Sequence, residues 1–449
     1  VKHKAKKSAS SAVAVPPAKP TKRVHLEKWK PAQRELDPLQ ILRNAQSGRL
    51  APLIRLKYQR MSASPFGFFR GAAPVMAYDL SLSRHSGIHT QLCGDAHVQN
   101  LGAFCGPDGK LLFDINDFDE TIPGPFEWDI KRLATSILLA GRDAKIKPAD
   151  CEAAATAFLQ AYCTLIQHLA TLPVLEVARY QVHRINAIAP ISQILANAER
   201  STPQHSLEHL TENTAHGRRF KSQPPLLRRI VGDEAQAIIA SLQPFQHSIL
   251  PERRHFLAQF RPIDVAFKVV GTGSVGLRDY CVYMEGNGPG DPLFLQIKQE
   301  APSAYAPYLP ASAHSRINQG QRVAEGQRAM QLQSDPLLGW TTLDGRDYLV
   351  RQLNDHKASV DITTLKAPDL IQYAEVCGEL LARGHARAGD ARSIARYIGK
   401  AKRLTHAILD FANAYAVQTV ADWKQLLAHQ KRASASKEAE AESSEQPPL

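Results

Sequence analysis

Apolar positions divide the chain into a helical stretch, an extended stretch and a second helical stretch. Over positions 38–61, Leu39, Leu42, Ile54 and Leu56 stand among basic residues in a helical pattern. The following segment, SASPFGFFRGAAPVMAYDL, is rich in aromatic and small residues, and Pro65 and Gly67 break any continuous helix there. Positions 88–119 predict strand, loop, hairpin and strand, with the Pro and Gly of CGPDGK suited to the turn. Ile130, Leu133, Ile137 and Leu138 share one face of a helix over 129–142, and Phe158, Tyr162, Leu165 and Leu169 continue the helical spacing. Positions 120–260 therefore read as mostly helical. Period two then takes over. DVAFKVVGTGSVGLRDYCVYMEG predicts strand, glycine-rich turn and strand, and PLFLQIKQE a third strand. A helix over about 318–333 and two short strands joined at Gly345 follow. After position 354, Ile371, Ala374, Gly378 and Leu381 form another helical stripe. A five-stranded unit with one helix thus lies between two helical regions.

Composition changes this picture little. The chain has 449 residues, 44% hydrophobic and 22% charged, which excludes disordered, collagenous and coiled-coil classes. No apolar run reaches membrane-spanning length, so no membrane partner is expected. The start is basic but offers only SSAVAV where a signal peptide needs a longer apolar core, and a cytoplasmic location is the expectation. Six scattered cysteines without a C-x-x-C pair suit reduced thiols. Cys93, His97 and Cys105 lie close together but at no common zinc spacing.

Net charge is +12, and its position matters more than its size. Residues 1–34 hold ten Lys or Arg against one Glu, so the remainder is nearly balanced. A basic tail of this kind reads as a solvated arm able to touch polyanions weakly, and no base-reading module for specific nucleic acid is visible. The other end, KRASASKEAEAESSEQPPL, is also of low complexity and predicts a disordered tail over 431–449.

Two clusters carry candidate chemistry. In CGDAHVQN, Asp95 and Asn100 lie five apart on a loop after a strand, and FDINDFDE places Asp117 and Asp119 at the edge of the following hairpin. Phosphoryl transfer needs an Asp to orient or deprotonate an acceptor hydroxyl and oxygen ligands to hold Mg²⁺ on the phosphates. An Asp and an Asn on one loop, with carboxylates returning beside them, supply that set; an Asp/Asn-rich capping turn is the plain alternative. The second cluster is GTGSVG, with Gly271, Gly273, Ser274 and Gly276. A strand follows these glycines, so they fit a phosphate-covering hairpin rather than a dinucleotide fingerprint, with a simple tight hairpin as the alternative. Lys298 alternates with Leu295 and Ile297 on the third strand, where it is expected to reach the α- and β-phosphates of a nucleotide, with Glu325 of the next helix as the partner holding it.

The first string resembles the catalytic loop of aminoglycoside-phosphotransferase-like and choline-kinase-like enzymes. Gly94, Asp95, His97, Asn100, Asp117, Phe118, Asp119 and Asp129 stand where that pattern has its marked residues, with Cys93 in place of a usual His. The resemblance implies Asp95 as catalytic base, Asn100 and Asp117 as metal ligands, Asp119 as a possible second carboxylate ligand, and Asp129 as a helix cap or loop anchor. His97 is expected to brace the loop by a hydrogen bond. The order is inverted, however, because the acidic loop precedes the glycine hairpin. Either one motif is accidental or the fold is circularly permuted, with the helix over 369–384 packing where a helix usually precedes the catalytic loop. HARAGD, at His385–Asp390, fails as a conventional catalytic loop because Ala395, not Asn, stands five residues on.

The strings RMSASPFGFFRGAA, LCGDAHVQNLGAF, FDINDFDETIPGPFEWDIKRLATS, VVGTGSVGLRDY, LFLQIKQE, VAEGQRAMQ and HARAGDA together resemble a bacterial family catalogued as domain of unknown function 2252, over about residues 40–425. That family is similar to the kinase-like superfamily. The fold implied is α+β: a two-lobed, circularly permuted protein-kinase-like fold with a small five-stranded antiparallel-sheet lobe and a larger, mostly helical lobe. The expected divisions are a disordered basic tail (1–37), the large helical lobe (38–262), the small nucleotide-binding lobe (263–353), helices completing the large lobe (354–430) and the second tail. The implied activity is ATP- and Mg²⁺-dependent phosphoryl transfer to an unidentified small-molecule or protein acceptor. A nucleotidyl transferase and a non-catalytic nucleotide-binding module are the competing readings. Arg70, in FFRGAA, is expected to meet either a phosphate or the acidic loop, or to form a structural ion pair.

Overall fold

The computed structural model describes residues 34–182, 188–269, 273, 275–310, 317–353 and 358–444. The fold is α+β, and its named strands pair antiparallel throughout. β1 (His89–Leu92) pairs with β4 (Ile122–Pro125). β2 (Leu101–Cys105) and β3 (Leu111–Ile115) form the hairpin between them, with β13 (Ala358–Ser359) on its edge. Gly109, at φ +78°, closes that hairpin in a backbone conformation that favours glycine.

The large sheet has six strands rather than the expected five. Their order is β11 (Gly339–Leu343), β12 (Arg346–Gln352), β10 (Pro292–Gln299), β9 (Asp279–Glu285), β8 (Arg261–Lys268) and β7 (Leu227–Ile230). The added strand comes from the stretch that read as helical, as does a short hairpin of β5 (Thr211–Thr214) and β6 (Gly217–Phe220). Ile238, Leu242, Phe245, Ile249 and Leu257, in and around the following short helices, share a core with Val265, Val282, Ile297 and Val350 of the sheet. The boundary expected at residue 262 therefore falls inside a packed unit. Helical spacing identified these helices but carried no information about which surface they cover.

The main core is helical. Helices Glu127–Asp143, Pro148–Leu169 and Ala367–Ala388 meet in it. Gly378 permits the closest of these approaches, since a β-carbon there would lie 2.3 Å from the Phe158 carbonyl oxygen. The helix Gln319–Met330 joins the large sheet to this body. Among the described residues, no helix is long and apolar enough to cross a membrane.

Residues 34–37 and 431–444, expected within the tails, belong to the described structure. The Arg34 side chain, 7% exposed, is ion-paired with Asp79, and its Nη1 donates to Asp422 at 2.8 Å. Tyr415 completes the group by donating to Asp79 at 2.7 Å. At the other end one helix runs Ala401–Ser444, past position 431, because Ala, Glu and Lys are strong helix formers even in a low-complexity order.

Removing Arg34 leaves two buried carboxylates without their cation. Arg34→Met is expected to lower the free energy of unfolding by about 3–5 kcal/mol, read by urea denaturation. An unchanged midpoint would show that the ion triad contributes nothing to stability.

Candidate functional site

The acidic loop is held from below by a helix. Asp129, in the first turn of Glu127–Asp143, accepts from the Cys93 backbone N–H at 2.7 Å and from that of Gly94 at 2.9 Å. Gly94 sits at φ +83°, with the Glu120 carbonyl so close that no β-carbon fits. Asp129 is thus a loop anchor, and His385 Nε2 lies 3.2 Å from it on the far side. Tyr305 adds a hydrogen bond from its hydroxyl to the Gly94 carbonyl at 2.7 Å.

Asn100 ties the loop to the hairpin. Its Nδ2 donates to the carbonyls of Asp95 (2.9 Å) and Asp117 (2.8 Å), and its Oδ1 accepts from the Asp117 N–H at 2.7 Å. This amide bridge sets Asp95 and Asp117 beside one cavity. Asp95 Oδ1 accepts from Arg132 Nε at 2.7 Å, and the guanidinium also stacks on Phe69 at 4.3 Å and donates to the Phe69 carbonyl. Arg132 is fully buried. Burial works against its charge, but Asp95, Tyr305 and Tyr415 together push its pKa up. The Asp95 carboxylate is consequently fixed in direction, with Oδ2 on the side of His97 at 3.9 Å.

The bracing hydrogen bond expected of His97 is absent: Nδ1 has no partner among the described residues, and 3.9 Å to Asp95 is too long. The ring instead packs edge-on against Phe66. Burial drives its pKa down to about 4, so the imidazole is neutral near pH 7.

The second cluster meets the first. Lys298, on β10, is buried and ion-paired with Asp119; Asp117 Oδ1 lies at 3.6 Å and Glu300 Oε1 at 4.0 Å. Burial alone would lower the lysine, but Asp117, Asp119 and Glu300 together push it up. Burial and the adjacent Asp117 push Asp119 up, against the pull of Lys298. Burial likewise drives Glu300 well above the ordinary carboxylate range.

Glu325 is not the partner of Lys298. It is exposed and accepts from Gln321 at 2.8 Å. The helix Gln319–Met330 buries Arg322, Val323, Gly326 and Gln327 instead, so Arg322 is the side chain that it sends toward the acidic hairpin. Arg322 donates to the carbonyls of Thr121, Asp119 and Ala301. The lysine finds its carboxylate on the hairpin, much nearer than the helix could offer one.

Gly271 and Ser274 lie outside the described residues. Gly276 is at φ +100° and passes close over Arg49. Carbonyls of the described part of this turn are engaged: Gly273 accepts from Arg49 (3.1 Å) and Lys57 (3.0 Å), and Val275 from Arg49 (2.6 Å). A cavity of about 430 Å³ separates turn and acidic loop, lined by Asp95, Asn100, Asp117, Asp119, Lys57 and Arg70 among others.

Two carboxylates and an amide oxygen on one wall suit magnesium, which takes one or two carboxylates and completes its shell with phosphate and water oxygens. Among the described residues no group of three or more His, Cys, Asp or Glu offers a self-sufficient metal cage. The pair Asp117–Asp119 already attracts a cation, the Lys298 ammonium, so its field favours positive charge. Asp117, Asp119 and Asn100 therefore fit a metal that arrives with a polyanion.

Sequence reasoning missed Arg132, Lys57, Arg49, Glu300 and Arg322. Arg132 was within reach, three residues after Asp129 on the same helix face. The basic residues at 49 and 57 looked like a solvated helix face, and only the packing of that helix under the glycine turn gives them an interior place.

The site is therefore that of a protein with an acid-lined cavity between a helical body and an antiparallel sheet. The family model described as an uncharacterized protein conserved in bacteria (DUF2252) matches residues 49–429, and the chain belongs to that family. No curated protein and no solved structure matches it significantly.

His97 makes the stability pH-dependent. Its folded pKa of about 4 lies below the ordinary 6.5, so the unfolded chain takes up the proton first as pH falls. The stabilisation is complete above pH ~6.5 and is lost progressively down to pH ~4, by at most about 3 kcal/mol. Urea denaturation at stepped pH should show this fall in the native chain and a shallower one in His97→Gln; parallel curves would contradict it.

Proposed function

We infer that the chain is an ATP- and Mg²⁺-dependent phosphotransferase built on a circularly permuted, two-lobed kinase-like fold. One observation carries this reading: Lys298 of the sheet and Asp117 and Asp119 of the hairpin converge within ion-pair distance beside a cavity that Asp95 also lines. Two catalytic half-sites 179 residues apart in sequence thereby share one cleft. Permutation accounts for their order. The helix Ala367–Ala388 ends beside β1, where Thr90 Oγ1 donates to the His385 carbonyl at 3.1 Å and Thr90 and Gly389 form a backbone bridge. A chain entering β1 from that helix would pass from sheet to helix to acidic loop, the ordinary kinase order.

In the reaction the acceptor hydroxyl lies against Asp95. Its oxygen forms a bond to the γ-phosphorus as the β–γ bridging P–O bond breaks, ADP leaves, and the hydroxyl proton passes to the Asp95 carboxylate. Arg132 keeps that carboxylate aimed, which suits a group that mainly orients the hydroxyl in a late proton transfer. Asp117 and Asp119, with Asn100, would hold magnesium, which would neutralise phosphate charge. Lys298 serves the site by fixing the two carboxylates, and Glu300 keeps the lysine from leaving them.

Purified chain should release ADP from ATP only with magnesium when its acceptor is present, and Asp95→Ala should lower that turnover by about 10²–10⁴-fold. Turnover equal in the two proteins would overturn the reading, and AMP in place of ADP would assign nucleotidyl transfer to the same cleft.

A further inference from the structure

We propose that Arg49, Lys57 and Arg70 form a phosphate-binding cluster, so that the anionic chain of the ligand is held from the N-terminal helices rather than by the sheet lysine. The proposal rests on the phosphotransferase reading for its context but on separate residues for its argument.

Two kinds of cation serve the cavity. Arg132 and Lys298 do not line it but stand behind its carboxylates, already matched to Asp95 and to Asp117 and Asp119. Arg49, Lys57 and Arg70 are not: among the described residues none of the three has a carboxylate within ion-pair distance. All three line the cavity. Lys57 is only 5% exposed, and the bond that the structure gives its ammonium goes to one neutral carbonyl, that of Gly273. Arg49 is held by the carbonyls of Ala45, Gly273 and Val275. Arg70 Nε is buried with no hydrogen-bond partner among the described residues. Asp95 and Asp117 act on Arg70 only through space.

A buried or half-buried cation without an anion is costly, and one buried lysine with two half-buried arginines in one cavity are not explained by packing. Their arrangement has the form of a preorganised anion site. Arg49 and Lys57 converge on the same carbonyl, which fixes their separation, and Arg70 reaches in from the next helix, Pro65–Gly71. The facing acidic wall leaves room for a metal between it and a phosphate chain, the charge order of a metal–polyphosphate complex. The low pKa of Lys57, about 7 through burial first and Arg49 second, is that of an ammonium awaiting a counter-charge. The shared chemistry is a phosphate group, and it has two possible sources: the phosphate chain of a nucleotide or a phosphorylated acceptor.

Calorimetric titration of the full chain with inorganic tripolyphosphate tests the cluster, with ATP and orthophosphate as the arms that separate the sources. Arg70→Gln and Lys57→Met should each weaken tripolyphosphate binding about tenfold or more, while Lys110→Gln, at a surface lysine whose side chain is 81% exposed, leaves it unchanged. Arg70 donates no hydrogen bond within the described residues, so its variant should fold, and thermal melting checks this. ATP competing with tripolyphosphate, with the same loss in Arg70→Gln, assigns the nucleotide; orthophosphate binding lost in Arg70→Gln without competition from ATP assigns the acceptor. Native protein that binds none of the three probes, or variants that bind them like native, would overturn the cluster. If native protein shows no ATP turnover yet Arg70→Gln loses tripolyphosphate, the phosphotransferase reading falls and the anion site stands. If turnover is present and Arg70→Gln binds tripolyphosphate like native, the opposite holds.

Discussion

A buried ammonium shared among Asp119, Asp117 and Glu300 joins the two halves of this molecule. In water such an attraction is weak, but in the interior each unpaired member would be left as an isolated charge, so the group is far more costly to break than its net stabilisation suggests. The strand carrying Lys298 and the hairpin carrying the carboxylates must therefore stay in register with each other. Arg322 reinforces the same junction by binding three carbonyls of the hairpin and of the segment after β10. Sheet and helical body meet through these polar groups as well as through apolar contact, Leu349 of β12 lying in the main core and Trp340 of β11 against it.

Beneath the junction lies a second fixed point. Asp129 holds the loop backbone on one side and contacts His385 on the other, and His385 in turn contacts the Tyr162 hydroxyl at 2.9 Å. Three helices and the acidic loop are thus keyed to one buried carboxylate. Side chains of the loop can be positioned to a fraction of an ångström only if its backbone is, and this network supplies that rigidity. The glycine turn is different. It is held by Arg49 and Lys57 through carbonyls, so its placement depends on the N-terminal helices rather than on the sheet that bears it.

Much of this was legible in the chain. Helices Gln319–Met330 and Ala367–Ala388, the hairpin at CGPDGK and the alternation of Lys298 with Leu295 and Ile297 follow from local period and turn chemistry. Asp95, Asn100, Asp117 and Asp119 could be singled out because their residue types and spacing are rare together. What escaped was whatever depends on nonlocal packing. Strand Leu227–Ile230 is four residues long, too short for alternation to show, and is a strand because β8 lies beside it. Glu325 was the expected partner of Lys298, but with Gly326 packed against Thr121 the helix presents Arg322 to the acidic segment instead. Arg34 resembled the rest of a basic tail, yet it answers two buried aspartates far along the chain.

The central claim is that the acidic hairpin holds a metal–nucleotide complex in the cavity between body and sheet. Electron paramagnetic resonance of Mn²⁺ titrated into the protein with a non-hydrolysable ATP analogue tests it most directly. The account predicts a protein-bound Mn²⁺ signal that requires the nucleotide and disappears in Asp117→Asn. A signal indifferent to both nucleotide and Asp117, or no bound manganese at all, would contradict it.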